Sequence, residues 1–196
     1  MGREDALDHA VAAMQAGDEA AFRCVYREVQ PPLLRYLTVL VGVTDAEDVA
    51  SEAWGQAFRD LDRFEGDADG FRGWITTIAR NRALDHLRHA SRRPTSDEPV
   101  EEMVDLRDEV DVEADTLGRV QSEAAIALIA TLPRDQAEAV MLRAVLGFDA
   151  PTAGRILGKR AGAVRVAAHR GLRNLEKKLS DDMCNTSRPH DAEDVR

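Results

Sequence analysis

The stretch from Gly147 to Leu179 constrains the fold most strongly, because it marks where helices stop and start. Gly147 is suited to end one helix. Asp149 followed by Pro151 is typical of a helix start: the carboxylate caps free N–H groups, and a proline in the first turn loses no hydrogen bond. Gly158 permits the positive φ of a sharp turn. The stretch therefore predicts two helices joined by a tight turn.

The second of these helices is predicted to be basic on its exposed side. Apolar residues recur along it and predict a buried stripe of Val164, Ala168, Leu172, Leu175 and Leu179. Between them lie basic residues, opposed by Glu176 alone: Lys159, Arg160, Arg165, Arg170, Arg173, Lys177 and Lys178. A helix-turn-helix that presents arginines can enter a DNA major groove. An ordinary helical pair with a solvated basic face is the alternative, but the caps and the turn favour DNA binding.

Charge is distributed in blocks, although the net charge of −10 over 196 residues at first argues against nucleic acid. A basic block runs from Phe71 to Arg93, where Asp85 is the one acidic residue. An acidic stretch from Thr95 to Gly118 separates this block from the helix-turn-helix. Two basic patches on either side of an acidic connector favour contact with nucleic acid. The first block contains Arg72, Arg80, Arg82, Arg88, Arg92 and Arg93.

Composition favours an all-α fold, because aromatic residues are scarce and alanine, leucine and valine are abundant. The acidic stretch has few large apolar residues, and we therefore interpret it as a flexible linker between two small helical domains. The second domain contains the helix-turn-helix. The predicted divisions are residues 1–93, the linker 94–115, residues 116–180 and a disordered polar tail 181–196.

Several classes of protein and site are not indicated by the sequence. No apolar run is long enough to span a bilayer, no signal pattern opens the chain, and Cys24 and Cys184 suggest no disulfide framework, so a cytoplasmic protein is expected. His86 and His89 lack further ligands in register, and no metal site or cofactor is predicted. No nucleophile–base pair or phosphate-cradling loop is present either, so we expect no enzymatic activity.

The first domain is predicted to consist of helices. Residues up to about Gly17 form a short helix or a loose arm. Asp18 can cap the next helix, which Pro31-Pro32 is expected to interrupt. A later helix begins near Thr44 and presents an outer face at i, i+4 spacing: Asp48, Glu52, Gln56 and Arg59. That face is either a solvated surface or an acidic docking surface, and spacing alone favours the solvated one.

A loop of sequence DRFEGDADG, from Asp62 to Gly70, precedes the basic helix. Phe71 and Trp74 at the start of that helix are expected to be core residues. An aromatic-bearing loop beside a basic helix is also a way to hold unstacked single-stranded bases.

Three motifs in order resemble the extracytoplasmic-function (ECF) class of bacterial RNA polymerase sigma factors, from about Asp18 to Leu179. DAEDVASEAWGQAFRDLDRFEG resembles sigma region 2.2, and FRGWITTIARNRALDHLRHASRR resembles regions 2.3 and 2.4. LPRDQAEAVMLRAVLGFDAPTAGRILGKRAGAVRVAAHRGLRNL resembles region 4. The resemblance implies a promoter-specificity subunit that joins core RNA polymerase to promoter DNA.

The resemblance also implies a role for each surface. The outer helix face would dock on the β′ clamp helices of the polymerase, the β flap would be a second contact, and a cognate anti-sigma factor would mask the protein. The polymerase-binding residues would be Asp45, Asp48, Glu52 and Gln56. The minus-ten element would be bound by Arg63, Phe64, Asn81, Arg82, Asp85 and Arg88. The minus-thirty-five element would be bound by Arg160, Arg165, His169, Arg170 and Arg173.

The chain departs from the family pattern at Val166 and Ala167, where members often carry a polar residue and an arginine. Fewer direct base contacts are then available, so phosphate contacts and groove shape carry more of the recognition. Two alternatives share parts of the pattern. A dimeric helix-turn-helix regulator would leave the first basic block unexplained, and a helical adaptor would bind a protein through its acidic faces.

Overall fold

The computed structural model describes residues 3–92 and 116–186, and within them every regular element is helical. This confirms the predicted all-α fold. A 3₁₀ turn, Leu61–Arg63, follows α3, and a π-helical turn, Met141–Val145, extends α6. The helices are α1 (Arg3–Gln15), α2 (Glu19–Val41), α3 (Val43–Arg59), α4 (Ala68–Ala90), α5 (Thr116–Ala130), α6 (Arg134–Val140), α7 (Ala150–Leu157) and α8 (Ala161–Thr186).

The N-terminal segment is a helix rather than a loose arm, because α1 buries Val11 and Met14 in the first core. Gly17 then takes a positive φ of 90°, and the carboxylate of Asp18 accepts hydrogen bonds from two N–H groups of the first turn of α2. The predicted cap at Asp18 is thereby confirmed.

The predicted interruption at Pro31-Pro32 is wrong, because α2 runs from Glu19 to Val41 through both prolines. A proline inside a helix costs about 3 kcal/mol, since it removes one intrahelical hydrogen bond and crowds the preceding turn. The burial of side chains before and after the two prolines outweighs that cost, because each fully buried aliphatic side chain contributes about 1.5–3 kcal/mol. The buried residues of α2 are Val25, Val29, Leu33, Tyr36 and Leu37.

Helices α1 to α4 enclose the first core. The inner face of α3 is made of small residues, Ala46, Ala50, Ala53 and Ala57, which allow α2 and α4 to lie close. Trp54 adds bulk beside these alanines, and its indole N–H donates to Gln30 Oε1 at 2.7 Å. The polar end of a buried aromatic ring is thus satisfied.

Helices α5 to α8 enclose a second core around Val140, Met141, Leu142, Ile156 and Val164. The π-helical turn ends where Gly147, at φ 75°, lets the N–H of Phe148 reach the carbonyl of Leu142. Helix α8 continues to Thr186, beyond the predicted end of this domain at 180. The predicted linker 94–115 and the remainder of the predicted tail lie outside the described residues.

The two cores are in contact. Tyr36 of α2 is fully buried in the second core, and Val39 and Leu40 of the same helix also pack against it. Helix α4 lies against α7 as well, where a Cβ placed on Gly73 would be 3.6 Å from Thr152 Cγ2. The two halves of the chain therefore share an interface.

Candidate nucleic-acid and partner interfaces

The helix-turn-helix is formed by α7 and α8 as the sequence predicts. The carboxylate of Asp149 caps α7 by accepting the N–H of Thr152 at 2.7 Å, and Gly158 ends α7 in the left-handed region at φ 64°. The backbone hydrogen bond from Thr152 and its hydroxyl group hold the pKa of Asp149 below its usual range. A sharp turn follows, so α8 leaves at a fixed angle.

Helix α8 has one buried face and one exposed basic face. Val164, Ala167, Ala168 and Gly171 form the buried face. Leu172 and Leu179 are half-exposed at 50% and 53%, so their predicted places in the buried stripe are wrong. Steps of four residues advance 400°, which is 40° more than one turn, so a strict i, i+4 series turns away from the core. The predicted DNA-binding residues are all exposed: Arg160, Arg165, His169, Arg170 and Arg173.

The predicted minus-ten residues of α4 divide into two groups. Asn81 is exposed, as are Asp85 and Arg88, which form an ion pair at 2.9 Å. Arg82 instead donates from Nε and Nη2 to Gln56 Oε1, at 3.0 and 2.7 Å. In this conformation the guanidinium of Arg82 therefore joins α4 to α3.

The predicted polymerase-binding residues divide in the same way. Asp48 and Glu52 are exposed on the outer face of α3. Gln56 accepts from Arg82, and Asp45 Oδ2 lies 2.9 Å from His86 Nε2. The structure thus places the predicted docking face beside the predicted minus-ten helix, with two of the docking residues bonded to it.

The loop before α4 is fixed by α1 and by aromatic packing. Gln15 donates to the carbonyl of Phe64 at 2.6 Å, and Asp8 accepts the N–H of Ala68 at 2.8 Å. Phe64 is 8% exposed, and the centroid of its ring lies 5.1 Å from that of Trp74. The ring therefore belongs to the core and has no free face on which a base can stack. Arg63, with a side chain 86% exposed, is the accessible basic residue of the loop.

A buried polar cluster joins the two halves, and sequence reasoning missed it. Glu138 of α6, 3% exposed, accepts from Arg80 Nε at 2.8 Å and from Tyr36 Oη at 3.4 Å. Burial and the nearby carboxylate raise the pKa of Tyr36. Burial opposes the charge on Arg80, but hydrogen bonding and attraction to Glu138 exceed that effect, so the pKa of Arg80 is raised. The one signal in the sequence is a carboxylate at an otherwise apolar helix position.

A second contact between the halves centres on Arg72. Its Nη2 donates to the carbonyl of Leu146 at 2.5 Å, and its guanidinium lies 5.3 Å from the centroid of the Phe148 ring. Two arginines of the first basic block, Arg72 and Arg80, are therefore engaged by the second half of the chain.

The described residues contain neither a metal-binding cluster nor a membrane-spanning helix. No group of three or more His, Cys, Asp or Glu residues is placed there to hold a metal ion. No helix among them has both the length and the apolar character of a membrane span.

Family models match both halves of the chain. Residues 25–93 match sigma-70 region 2, and residues 122–175 match sigma-70 region 4. The first range contains α3 and α4, and the second contains the helix-turn-helix.

Curated relatives extend this match along most of the chain. SigD of Mycobacterium tuberculosis (strain ATCC 25618 / H37Rv), an ECF RNA polymerase sigma factor, is 32% identical over 182 residues, which cover 88% of this chain and 84% of SigD. The chain belongs to the ECF RNA polymerase sigma factors. BldN of Streptomyces coelicolor, from the same family, is also 32% identical over 174 residues. This sigma factor covers only 65% of the length of BldN.

Solved structures agree with the fold of this sigma factor. CnrH, solved with the cytosolic domain of CnrY, has a TM-score of 0.62 at 22% identity and covers 90% of this chain and 99% of CnrH. RpoE from Bartonella quintana, solved with the anti-sigma factor NepR, has a TM-score of 0.60 at 22% identity, over 81% of this chain and 96% of RpoE.

Family membership establishes the general activity. As an ECF sigma factor, the chain binds core RNA polymerase and directs promoter-specific transcription initiation, and it is not an enzyme. The dimeric regulator is therefore not favoured.

Proposed function

We propose that this sigma factor reads the minus-thirty-five element with α8 and the minus-ten element with α4 and its preceding loop, while α3 docks on the β′ clamp helices. One observation supports this most directly: the exposed face of α8 is basic, lies opposite a buried stripe, and follows a capped, sharply turned α7. This is the arrangement in which the second helix of a helix-turn-helix enters the major groove.

The proposed contacts of α8 are mainly electrostatic. Arg165 and Arg170 lie on the two sides of the exposed face, where they can reach phosphates on the two walls of a groove. His169 and Arg173 lie between them, and Arg160 precedes the first turn. Such contacts release counterions, so binding weakens steeply as salt increases.

The proposed minus-ten surface consists of Asn81 and Arg88 on α4 and Arg63 on the loop. All three are exposed, and Asp85 holds the guanidinium of Arg88 at 2.9 Å. Arg82 can join this surface only by leaving Gln56. Phe64 would serve as the rigid wall of the loop, because its ring is packed on Trp74.

The proposed docking face centres on Asp48 and Glu52, which are exposed carboxylates free to meet a basic partner helix. Asp45 and Gln56 lie at the edge of this face and bond to α4. Polymerase docking and minus-ten recognition would therefore be mechanically linked through His86 and Arg82.

We assign residues 1–93 and 116–180 to the two functional domains, 94–115 to the connector and 181–196 to a tail. The second domain would meet the β flap. The relative RpoE was solved with an anti-sigma factor, and we propose that a cognate anti-sigma factor holds this chain too. We place the protein in the cytoplasm, beside its polymerase.

In-vitro transcription tests the proposal. Core RNA polymerase is incubated with and without the protein on a pool of upstream genomic fragments, and discrete start sites that require the protein are expected. Arg165→Glu should abolish initiation at promoters that need the upstream element while polymerase binding persists. Arg23→Glu, an exposed reversal on α2, is the matched control. Loss of polymerase binding by Arg165→Glu would contradict the division of roles between α8 and α3.

A further inference from the structure

Val166 is a large apolar side chain exposed at the centre of the basic face of α8. It is 50% exposed and lies between Arg165 and Arg170 on this face. At 100° per residue, the positions i, i+4, i+7 and i+11 form one ridge along a helix. Gly162, Val166, His169 and Arg173 occupy such a ridge, opposite the buried Val164, Ala167 and Ala168.

Val166 belongs to neither hydrophobic core within the described residues, so core packing does not account for a valine at this position. A β-branched residue is also a weaker helix former than the straight-chain polar residues that usually occupy exposed positions. Its two methyl groups contribute favourable free energy only when an apolar surface covers them and removes them from water.

The groove that α8 is proposed to enter offers one such surface. The C5-methyl of thymine is the apolar feature of the major groove, and small apolar side chains contact it. Gly162 and Ala163, both exposed, precede Val166, and a Cβ on Gly162 would meet no atom within 4 Å. Because these two neighbours are small, the first turns of α8 can approach the base edges closely, and Val166 reaches further than either of them.

Resting on the proposed function of α8, we infer that Val166 selects a thymine in the minus-thirty-five element by packing against its methyl group. Arg165 and Arg170 hold the flanking phosphates. Removing the methyl should weaken recognition about fourfold, the equivalent of one buried methyl(ene) group.

The test uses holoenzyme and synthetic promoters. A library randomised in the minus-thirty-five element identifies the preferred sequence by initiation, and each dT of that element is then replaced singly by dU. The rate of initiation by wild-type holoenzyme should fall about fourfold when dU replaces dT at one position. On the dT template, initiation by the Val166→Ala holoenzyme should be weaker than that of the wild type by about the same factor. Replacement of that dT by dU should not weaken initiation by the variant further. Leu172→Ala, equally exposed at 50% on the flank of α8, is the matched control and should keep the wild-type response.

Three outcomes would overturn the inference. In the first, initiation by the wild-type holoenzyme is unchanged by dU at every position. In the second, initiation by Val166→Ala falls on the dU template as much as that of the wild type. In the third, Val166→Ala weakens only the binding to polymerase, which would make Val166 a protein contact. Absence of initiation by the wild-type protein on every template would instead contradict the proposed function.

Discussion

At the scale of single residues, Gly171 shows how closely α8 packs on α6. A Cβ at this position would lie 2.7 Å from Val140 Cγ2 and 3.3 Å from the carbonyl oxygen of Gln136. The backbone of α8 therefore lies directly against α6, and Asn174 donates to Gln136 Oε1 one turn further on. Only a residue without a side chain leaves room for this approach.

Gly171→Ala should destabilise the protein by about 1–3 kcal/mol, because the strain of overpacking exceeds the helix-propensity gain of about 1 kcal/mol. Gly162→Ala on the same helix faces open space and should be neutral or stabilising by up to about 1 kcal/mol. Urea denaturation of both variants measures the difference. Equal stabilities of the two variants would show that α8 does not pack as closely as described.

Asp149 links the stability of the helix-turn-helix to pH. Its folded-state pKa is lowered by the backbone and hydroxyl hydrogen bonds of Thr152. A lowered folded-state pKa means stability that is present above the unfolded pKa, about 3.9, and is lost as pH falls through the folded pKa. Asp149→Asn keeps a capping oxygen without a charge. The free energy of unfolding of the Asp149→Asn variant should therefore fall less than that of the wild type between pH 6 and pH 3. Parallel plots of unfolding free energy against pH for the two proteins would exclude the linkage.

At the scale of elements, the outer face of α3 is the proposed polymerase contact. Asp48→Arg with Glu52→Arg should abolish binding to core RNA polymerase, because the reversed face repels a basic partner, while the fold persists since both side chains are exposed. Glu47→Arg with Asp62→Arg makes the same charge change at exposed positions away from this face. The affinity of each double variant for core RNA polymerase, measured by fluorescence anisotropy, distinguishes the two. Similar affinities for both would remove the docking assignment.

Helix boundaries were predictable where local chemistry decides them. Asp18, Asp149 and Gly158 act through groups within a few residues, and each was predicted from its neighbours. The continuity of α2 through Pro31 and Pro32 was not, because the compensating burial comes from residues distant in sequence. The inward face of α8 was also mistaken at Leu172, since the contact that decides it is made with α6.

At the scale of the whole molecule, the pair of Arg80 and Glu138 should control how closely the halves associate. Arg80→Met leaves a buried carboxylate without its partner, which costs about 3 kcal/mol when a buried pair is broken. Separation of the halves relieves this cost, so we expect lower stability and a larger radius of gyration. Arg80→Met with Glu138→Met removes both charges and should recover most of the stability and the compact size.

Chemical denaturation and small-angle scattering measure both quantities. A double variant as unstable and expanded as Arg80→Met would show that the unpaired charge of Glu138 is not what separates the halves. Tyr36→Phe is the milder control, because it removes only the 3.4 Å hydrogen bond to Glu138.

The sequence by itself determined the helical class, the caps and turn of the helix-turn-helix and the basic character of α8, since each depends on residues close together in the chain. It also supplied the family, through three motifs in order. Only the tertiary structure decided that Phe64 is core, that Arg82 and Asp45 join α3 to α4, and that Glu138 meets Arg80 and Tyr36. The last contacts bridge 58 and 102 residues of sequence, and no local pattern carries such a pairing because folding brings the partners together.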